Sequence, residues 1–246
     1  MLIVDKFFVE TVENFCYNTD MDEKYLYSLV SGAFGAEFEA FRELLKEYNS
    51  RFNLTAVCDD EGIFHKHFVD SIAPMEFFDE NARVVEIGSG AGFPSLPLKI
   101  VRKDLNFTLI ESTGKKCEFL KTACARLNLS GVEVLNIRAE DGARRADLRE
   151  KFDICCARAV AALNTLSEYC LPYVRVGGKF IAYKGDCDGE LKDARRAIEL
   201  LGGEVERVEK YSLEKCGLRT AVVIKKVCAT PSKYPRGQGK ERKSPL

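Results

Sequence analysis

The segment Glu86-Ile87-Gly88-Ser89-Gly90-Ala91-Gly92-Phe93-Pro94 sets three glycines into five positions, directly behind the run Arg83-Val84-Val85-Glu86-Ile87. Glycine adopts left-handed backbone readily and, lacking a Cβ, lets main-chain N–H groups approach a ligand. A strand that runs into such a loop and then into a helix points to an open α/β sheet with a ligand crevice at its carboxyl edge. The blander alternative is a turn that only lets a helix pack on a strand.

The rest of the chain favours the crevice. From Arg83 onward, short β-branched runs alternate with helical patterns, which predicts strands over 83–88, 106–111, 132–138, 152–157 and 179–184 and helices over 94–101, 114–128, 162–172 and 188–201. Such alternation builds a parallel sheet with helices on both faces. The rhythm then changes: EVERVEKYSL (204–213) and RTAVVIKKV (219–227) are two strand patterns joined by the short EKCG, so the sheet is expected to close in an antiparallel hairpin. Upstream, residues 22–73 read as helical, with Phe38, Phe41, Leu44, Leu45, Tyr48 and Phe52 recurring at three- and four-residue steps. The expected organisation is an N-terminal helical cap over 1–78, an α/β domain over 79–228 and a basic tail over 229–246.

The glycine spacing narrows the ligand. The dinucleotide fingerprint places its third glycine five residues after the first, whereas Gly92 falls at four and Phe93 at five. A phosphate-binding Walker loop is excluded at Thr113-Gly114-Lys115-Lys116, because Leu109 holds the upstream glycine position and Lys116 the hydroxyl position. The remaining pattern, acid-x-Gly-x-Gly-x-Gly, is that of S-adenosylmethionine enzymes. Glu111, ending the second strand, is placed to accept hydrogen bonds from two ribose hydroxyls. That acid alone suits a nicotinamide cofactor equally; the terminal hairpin separates the two readings.

Composition bounds the partners. Lysine plus arginine (37) nearly balances aspartate plus glutamate (38), so a nucleic-acid surface has to be local. Ten cysteines without a C-x-x-C pair, and only two histidines, read as reduced thiols rather than disulfides or zinc ligands. The opening MLIVDKFFVETVENF lacks the layout of a leader, no stretch reaches the length of a membrane span, and a cytoplasmic monomer is expected. No metal site is expected.

Further stretches occur in a telling order: YNSRFNLTAV (48–57), KHFVDS (66–71), EIGSGAGFPSLPLKI (86–100), LIESTGKKCEFL (109–120), RAED (138–141), ARAVAALNTLSEYCLP (157–172), AYKG (182–185) and TPSKYPRGQG (230–239). Together they closely resemble the bacterial small-subunit ribosomal RNA methyltransferase G family, also called glucose-inhibited division protein B. The resemblance implies a class I S-adenosylmethionine-dependent methyltransferase fold, Rossmann-like and seven-stranded, that methylates N7 of one guanine in 16S ribosomal RNA near the decoding centre and releases S-adenosylhomocysteine. It implies 16S rRNA or the small ribosomal subunit as partner. Matched by position, Gly88 and Phe93 in the loop, Ala139 and Glu140 after the third strand, and Arg158 after the fourth fall on the family's cofactor contacts, with Gly90 in the same loop and Glu111 in the ribose role. Tyr48 stands where the family often has tryptophan, and Tyr183 where leucine is commoner.

Guanine N7 carries a free lone pair at neutral pH, so the transfer needs no general base and no acid/base residue is assigned. Arg158 has three readings: the cofactor carboxylate, a guanine acceptor, or a neighbouring acid. Cys155 and Cys156 raise a pyrimidine-type nucleophile, but buried strand residues are the better reading. The Asn/Asp-Pro-Pro-aromatic stretch of amino-group methyltransferases is absent. Lys66 and His67 are read either as packing over cofactor or RNA or as plain helix. For RNA, the segment 231–246 offers Lys233, Arg236, Lys240, Arg242 and Lys243 against Glu241 alone, with Tyr234 interleaved for stacking; a solvated tail is the alternative. Arg42, Lys46 and Arg51, and Arg144, Arg145 and Arg149, are candidate extensions of that surface. Methylation of another RNA or of a small molecule, a nicotinamide oxidoreductase, and a cofactor-binding protein without activity remain as alternatives.

Overall fold

The computed structural model describes residues 22–246. The opening segment read against a leader, Cys16 and the first part of the cap lie outside the described residues.

Seven strands form one sheet in the order β3-β2-β1-β4-β5-β7-β6. They are β1 (Arg83–Ile87), β2 (Asn106–Glu111), β3 (Val132–Asn136), β4 (Phe152–Arg158), β5 (Val174–Lys184), β6 (Gly203–Leu213) and β7 (Gly217–Lys226). The first five pair in parallel, while β7 inserts antiparallel between β5 and β6. The predicted hairpin is therefore present. Strand order reverses between β1 and β4, and such a switch point opens a crevice beyond the carboxyl ends of the strands. Central strands covered on both faces read as unbroken apolar runs; Ile154, Cys155, Cys156 and Ala157 of β4 are all fully buried.

Two layers cover the sheet. On one face lie α1 (Glu23–Ser28), α2 (Gly35–Phe52), a helical run called α3 here (Asp60–Gly62, the π-helical Ile63–Val69, and Asp70–Ile72), α4 (Ser95–Val101) and α5 (Gly114–Arg126). Phe38, Phe41, Leu44 and Leu45 of α2 share one core with Phe68 of α3, Leu96 of α4, Phe119 of α5 and the sheet residues Val84, Ile154 and Ile181. Asp22 caps α1 by accepting from the Tyr25 amide, Asp59 caps α3 by accepting from the Gly62 amide, and Asn53 ends α2 in a left-handed conformation. The other face carries α6 (Ala139–Gly142), α7 (Leu163–Cys170), α8 (Asp188–Leu200) and the C-terminal α9 (Lys240–Lys243). Its core includes Val85, Ile87, Leu166, Phe180, Ile198 and Tyr234.

Three details depart from the expectations. β5 begins at Val174 rather than near 179, because Arg175-Val176-Gly177-Gly178 extends the strand through a register shift that hides its periodicity. The four-residue α6 has too few residues to leave a periodic signal. The C-terminal segment is also docked rather than solvated. Arg149 donates to the Tyr234 and Thr230 carbonyls, Arg144 to those of Pro235 and Arg236, and Arg236 forms a forked pair with the fully buried Glu168 carboxylate at 2.8 Å. Tyr234 is buried and unavailable for stacking on a base. Arg144, Arg149 and Arg236 thus serve protein acceptors, and Arg145, Arg42, Lys46 and Arg51 pair with acids on their own surfaces.

Candidate active site

The glycines behind β1 have separate reasons to be glycine. Gly88, Gly90 and Gly92 all have positive φ, at 70°, 56° and 87°. A Cβ on Gly88 would stand 2.8 Å from Cγ2 of Val160, and one on Gly92 2.5 Å from Cδ1 of Leu96, whereas one on Gly90 would meet nothing nearer than 3.8 Å. Conformation alone selects Gly90; conformation and room together select the other two.

The loop locks Glu111 in place. The Gly88 and Ser89 amides donate to the Ile110 carbonyl, the Gly90 amide donates to Oε2 of Glu111 at 3.0 Å, and the Thr113 amide to Oε1 at 2.8 Å. Each carboxylate oxygen keeps a further lone pair. Glu111 faces a cleft of about 790 Å³ at the carboxyl ends of β1 to β4, walled by Gly88, Ala139 and Glu140 and closed on the far side by Gln238, Gly239 and Arg242 of the C-terminal segment. A carboxylate aimed at a vicinal diol, with a polar wall at the start of α6 for a nucleobase, is a donor and acceptor set that fits S-adenosylmethionine.

Four of the expected cofactor residues, Gly88, Glu111, Ala139 and Glu140, line this cleft, and Gly90 stands behind it on Glu111. Phe93 and Arg158 lie elsewhere. Arg158 lines a second cavity of about 380 Å³, which meets the cleft at Ala159. The wide turn of α3 sets Lys66, His67 and Asp70 along one wall of it, and Tyr183, Tyr211 and Arg219 form the other. The buried Asp70 carboxylate holds two guanidinium groups: Nη1 of Arg158 donates to Oδ2 at 2.8 Å and Nε of Arg219 to Oδ1 at 2.9 Å. Arg158 also donates to the Lys66 carbonyl at 3.0 Å, so of its three readings the structure realises the pairing with an acid.

His67 stacks on Phe93 with ring centroids 4.2 Å apart, and the Arg158 guanidinium lies 5.3 Å from the Phe93 centroid. Nη2 of Arg158 approaches Nδ1 of His67 at 3.4 Å. A guanidinium can only donate, so Nδ1 accepts and Nε2–H donates to Oγ1 of Thr55, 2.8 Å away. Burial, reinforced by Arg158, lowers His67 to about 4 and keeps the imidazole neutral. Nearby, burial raises the Glu86 carboxyl to about 8; it is fully enclosed and neither oxygen has a hydrogen-bond partner. Cys155 and Cys156 are fully buried and their thiols are pushed up by burial, so neither is presented to a base as a thiolate. Among the described residues no group of three or more His, Cys, Asp or Glu side chains is placed to hold a metal ion, and no helix is long and apolar enough to cross a membrane.

Asp70, Arg219 and the C-terminal wall escaped the sequence reading. Asp70 lies 88 residues from Arg158 and 149 from Arg219, so no local pattern announces the cluster. The one available signal was KHFVDS, which contains Lys66, His67 and Asp70 in a row of helical neighbours.

Comparison with known proteins agrees with this geometry. A family model described as rRNA small subunit methyltransferase G matches residues 35–218. A ribosomal RNA small subunit methyltransferase G of Acetivibrio thermocellus is 43% identical over 241 residues, covering 92% of this chain and all of the relative, and that of Brevibacillus brevis is 46% identical over 214 residues, covering 85% and 90%. Among solved structures, an Aquifex aeolicus SAM-dependent methyltransferase superposes with a TM-score of 0.53 at 18% identity over 71% of this chain and 97% of its own, a likeness of fold. The sheet is that of a class I S-adenosylmethionine-dependent methyltransferase, and the chain belongs to the rRNA small subunit methyltransferase G family.

Proposed function

We propose that this protein transfers the methyl group of S-adenosylmethionine to N7 of a guanine in 16S ribosomal RNA, on RNA or the small ribosomal subunit in the cytoplasm. The observation that carries the reading is the pair of cavities meeting at Ala159 beyond the strand-order switch, one with the Glu111 carboxylate and the other with a fixed cationic cluster.

Bound S-adenosylmethionine supplies a methyl group on a positively charged sulfur, which becomes a neutral thioether as the methyl leaves. Gly88, Glu111, Ala139 and Glu140 would hold the nucleoside part, with Gly90 and Thr113 fixing the Glu111 carboxylate. Phe93 stacks on His67, with the Arg158 guanidinium 5.3 Å from its ring, and so fixes the imidazole at the edge of the second cavity. The accepting N7 lone pair forms the new N–C bond and the purine takes the positive charge, so no residue removes a proton. His67, neutral and hydrogen-bonded through both nitrogens, is a positioning residue rather than a base. Holding the reactants in line can lower the barrier by on the order of 7–11 kcal/mol. Lys116, Arg138 and Arg242 at the cleft and Lys66 at the cavity are the cations available to RNA phosphates.

The test is methyl transfer from tritiated S-adenosylmethionine to small subunits purified from a strain lacking this chain. Label in the RNA fraction is expected. Label confined to protein, or cofactor binding with no transfer to RNA, would contradict the reading.

A further inference from the structure

The second cavity holds more polar machinery than cofactor binding needs. Guanine and adenine both carry a nucleophilic N7, so an enzyme that methylates only guanine has to read a neighbouring atom. The atom beside N7 is O6, a hydrogen-bond acceptor in guanine, while adenine carries an amino donor there. A reader of guanine must therefore be a donor, and it must leave the N7 lone pair free.

Arg219, at the start of β7, meets both conditions. Its Nε is committed to Asp70 and its Nη1 to the Leu218 carbonyl at 3.0 Å, whereas Nη2 forms no hydrogen bond among the described residues and belongs to a side chain lining the cavity. Two anchored nitrogens fix the guanidinium plane, and with it the directions of the two Nη2 N–H bonds. Arg158, by contrast, commits three of its five N–H groups, to Asp70, Lys66 and His67, against two for Arg219. Each Asp70 oxygen already accepts from a guanidinium, which fits it to orient the arginines rather than to read the base, and its charge offsets part of theirs as positive charge develops on the purine. Tyr183 and Tyr211, both buried, form the apolar floor of the cavity, and Lys66 flanks it with charge for the backbone.

We infer that the second cavity seats the target guanine and that Arg219, oriented by Asp70, selects it over adenine by donating from Nη2 to O6. The inference rests on the methyltransferase reading above. It names a specificity residue at a place in the chain just beyond the span matched by the family model.

The experiment uses the full chain, tritiated S-adenosylmethionine and reconstituted small subunits whose target nucleotide is guanosine, inosine or adenosine, with wild type, Arg219→Ala and Arg219→Lys. Wild type is expected to accept inosine, which keeps O6, within about threefold of guanosine and to reject adenosine. Arg219→Ala is expected to lose at least tenfold in kcat/KM for guanosine, to compress the guanosine-to-adenosine ratio by a similar factor, and to bind S-adenosylhomocysteine within twofold of wild type; Arg219→Lys falls between. An unchanged guanosine-to-adenosine ratio in both variants overturns the inference, as does loss of S-adenosylhomocysteine affinity in step with activity, which would mark Arg219 as structural. Rejection of inosine by wild type overturns it in another way, by placing recognition on the N2 amino group. Wild type that labels none of the three RNAs fails the functional reading itself, and this inference falls with it.

Discussion

Glu111 is the residue on which the cofactor assignment turns, and its carboxylate also holds the Gly90 and Thr113 amides of the loop. Replacing it with alanine removes a charged acceptor facing the cleft, worth about 1.5–3 kcal/mol for hydrogen bonds to a charged group. Affinity for S-adenosylhomocysteine, measured by calorimetry, is expected to fall by roughly 10- to 150-fold at the corresponding 1.4 kcal/mol per decade. Gly88→Ala acts on the fold instead: a left-handed residue with a Cβ 2.8 Å from Val160 should destabilise the chain by about 1–3 kcal/mol in urea unfolding. Two buried titrating groups give opposite pH dependences. Glu86, raised from 4.5 to about 8, binds its proton more tightly folded than unfolded, so stability falls as pH rises between those values. Glu86→Gln should flatten that fall, by at most on the order of 4 kcal/mol at pH 8. His67, lowered from 6.5 to about 4, gives stability present above 6.5 that is lost as pH falls toward 4. Gly88 and Glu111 were legible in the sequence because a strand end and a tight loop are local events. Asp70 and Arg219 were not, because their pairing depends on how α3 and β7 meet in space.

Among the elements, the C-terminal segment differs most from its reading. Its cations suggested a surface for RNA, yet its partners are buried and distant: Arg236 meets Glu168, 68 residues upstream, and Lys226, fully buried and lowered to about 8 by burial, donates to Thr230 and the Leu171 carbonyl. Charge counted along a chain says nothing of which charges fold inward. Because Glu168 has no exposed side-chain area, Arg236→Ala strands a buried carboxylate and should cost about 3–5 kcal/mol in denaturant unfolding. The same variant should weaken S-adenosylhomocysteine binding, since Gln238, Gly239 and Arg242 close the cleft from this segment. The strands and longer helices were easier, since period-two and period-3.6 patterns depend on the layer each element faces. β5 is longer than its pattern predicts because its bulged, glycine-bearing start breaks that period.

At the scale of the whole molecule, two cores lie on opposite faces of one sheet, and the cavities open at its edge, the cleft at the carboxyl ends of β1 to β4 and the second cavity at those of β4 and β5 beside β6 and β7. The helical layer around α2 and α3 is continuous with the sheet's core and brings Asp70 and His67 to the place where cofactor and base would meet. Methylation of guanine N7 in 16S RNA at this junction is the proposal on which the roles of both cavities depend. It is tested most directly by mapping the tritium label incorporated into small subunits from a strain lacking the chain, using strand cleavage specific for N7-methylguanine. Label and cleavage are expected at one guanine, near the decoding centre, both abolished when the cleft is blocked by excess S-adenosylhomocysteine. Label at an exocyclic amine, at a pyrimidine carbon or scattered over many guanines would contradict it.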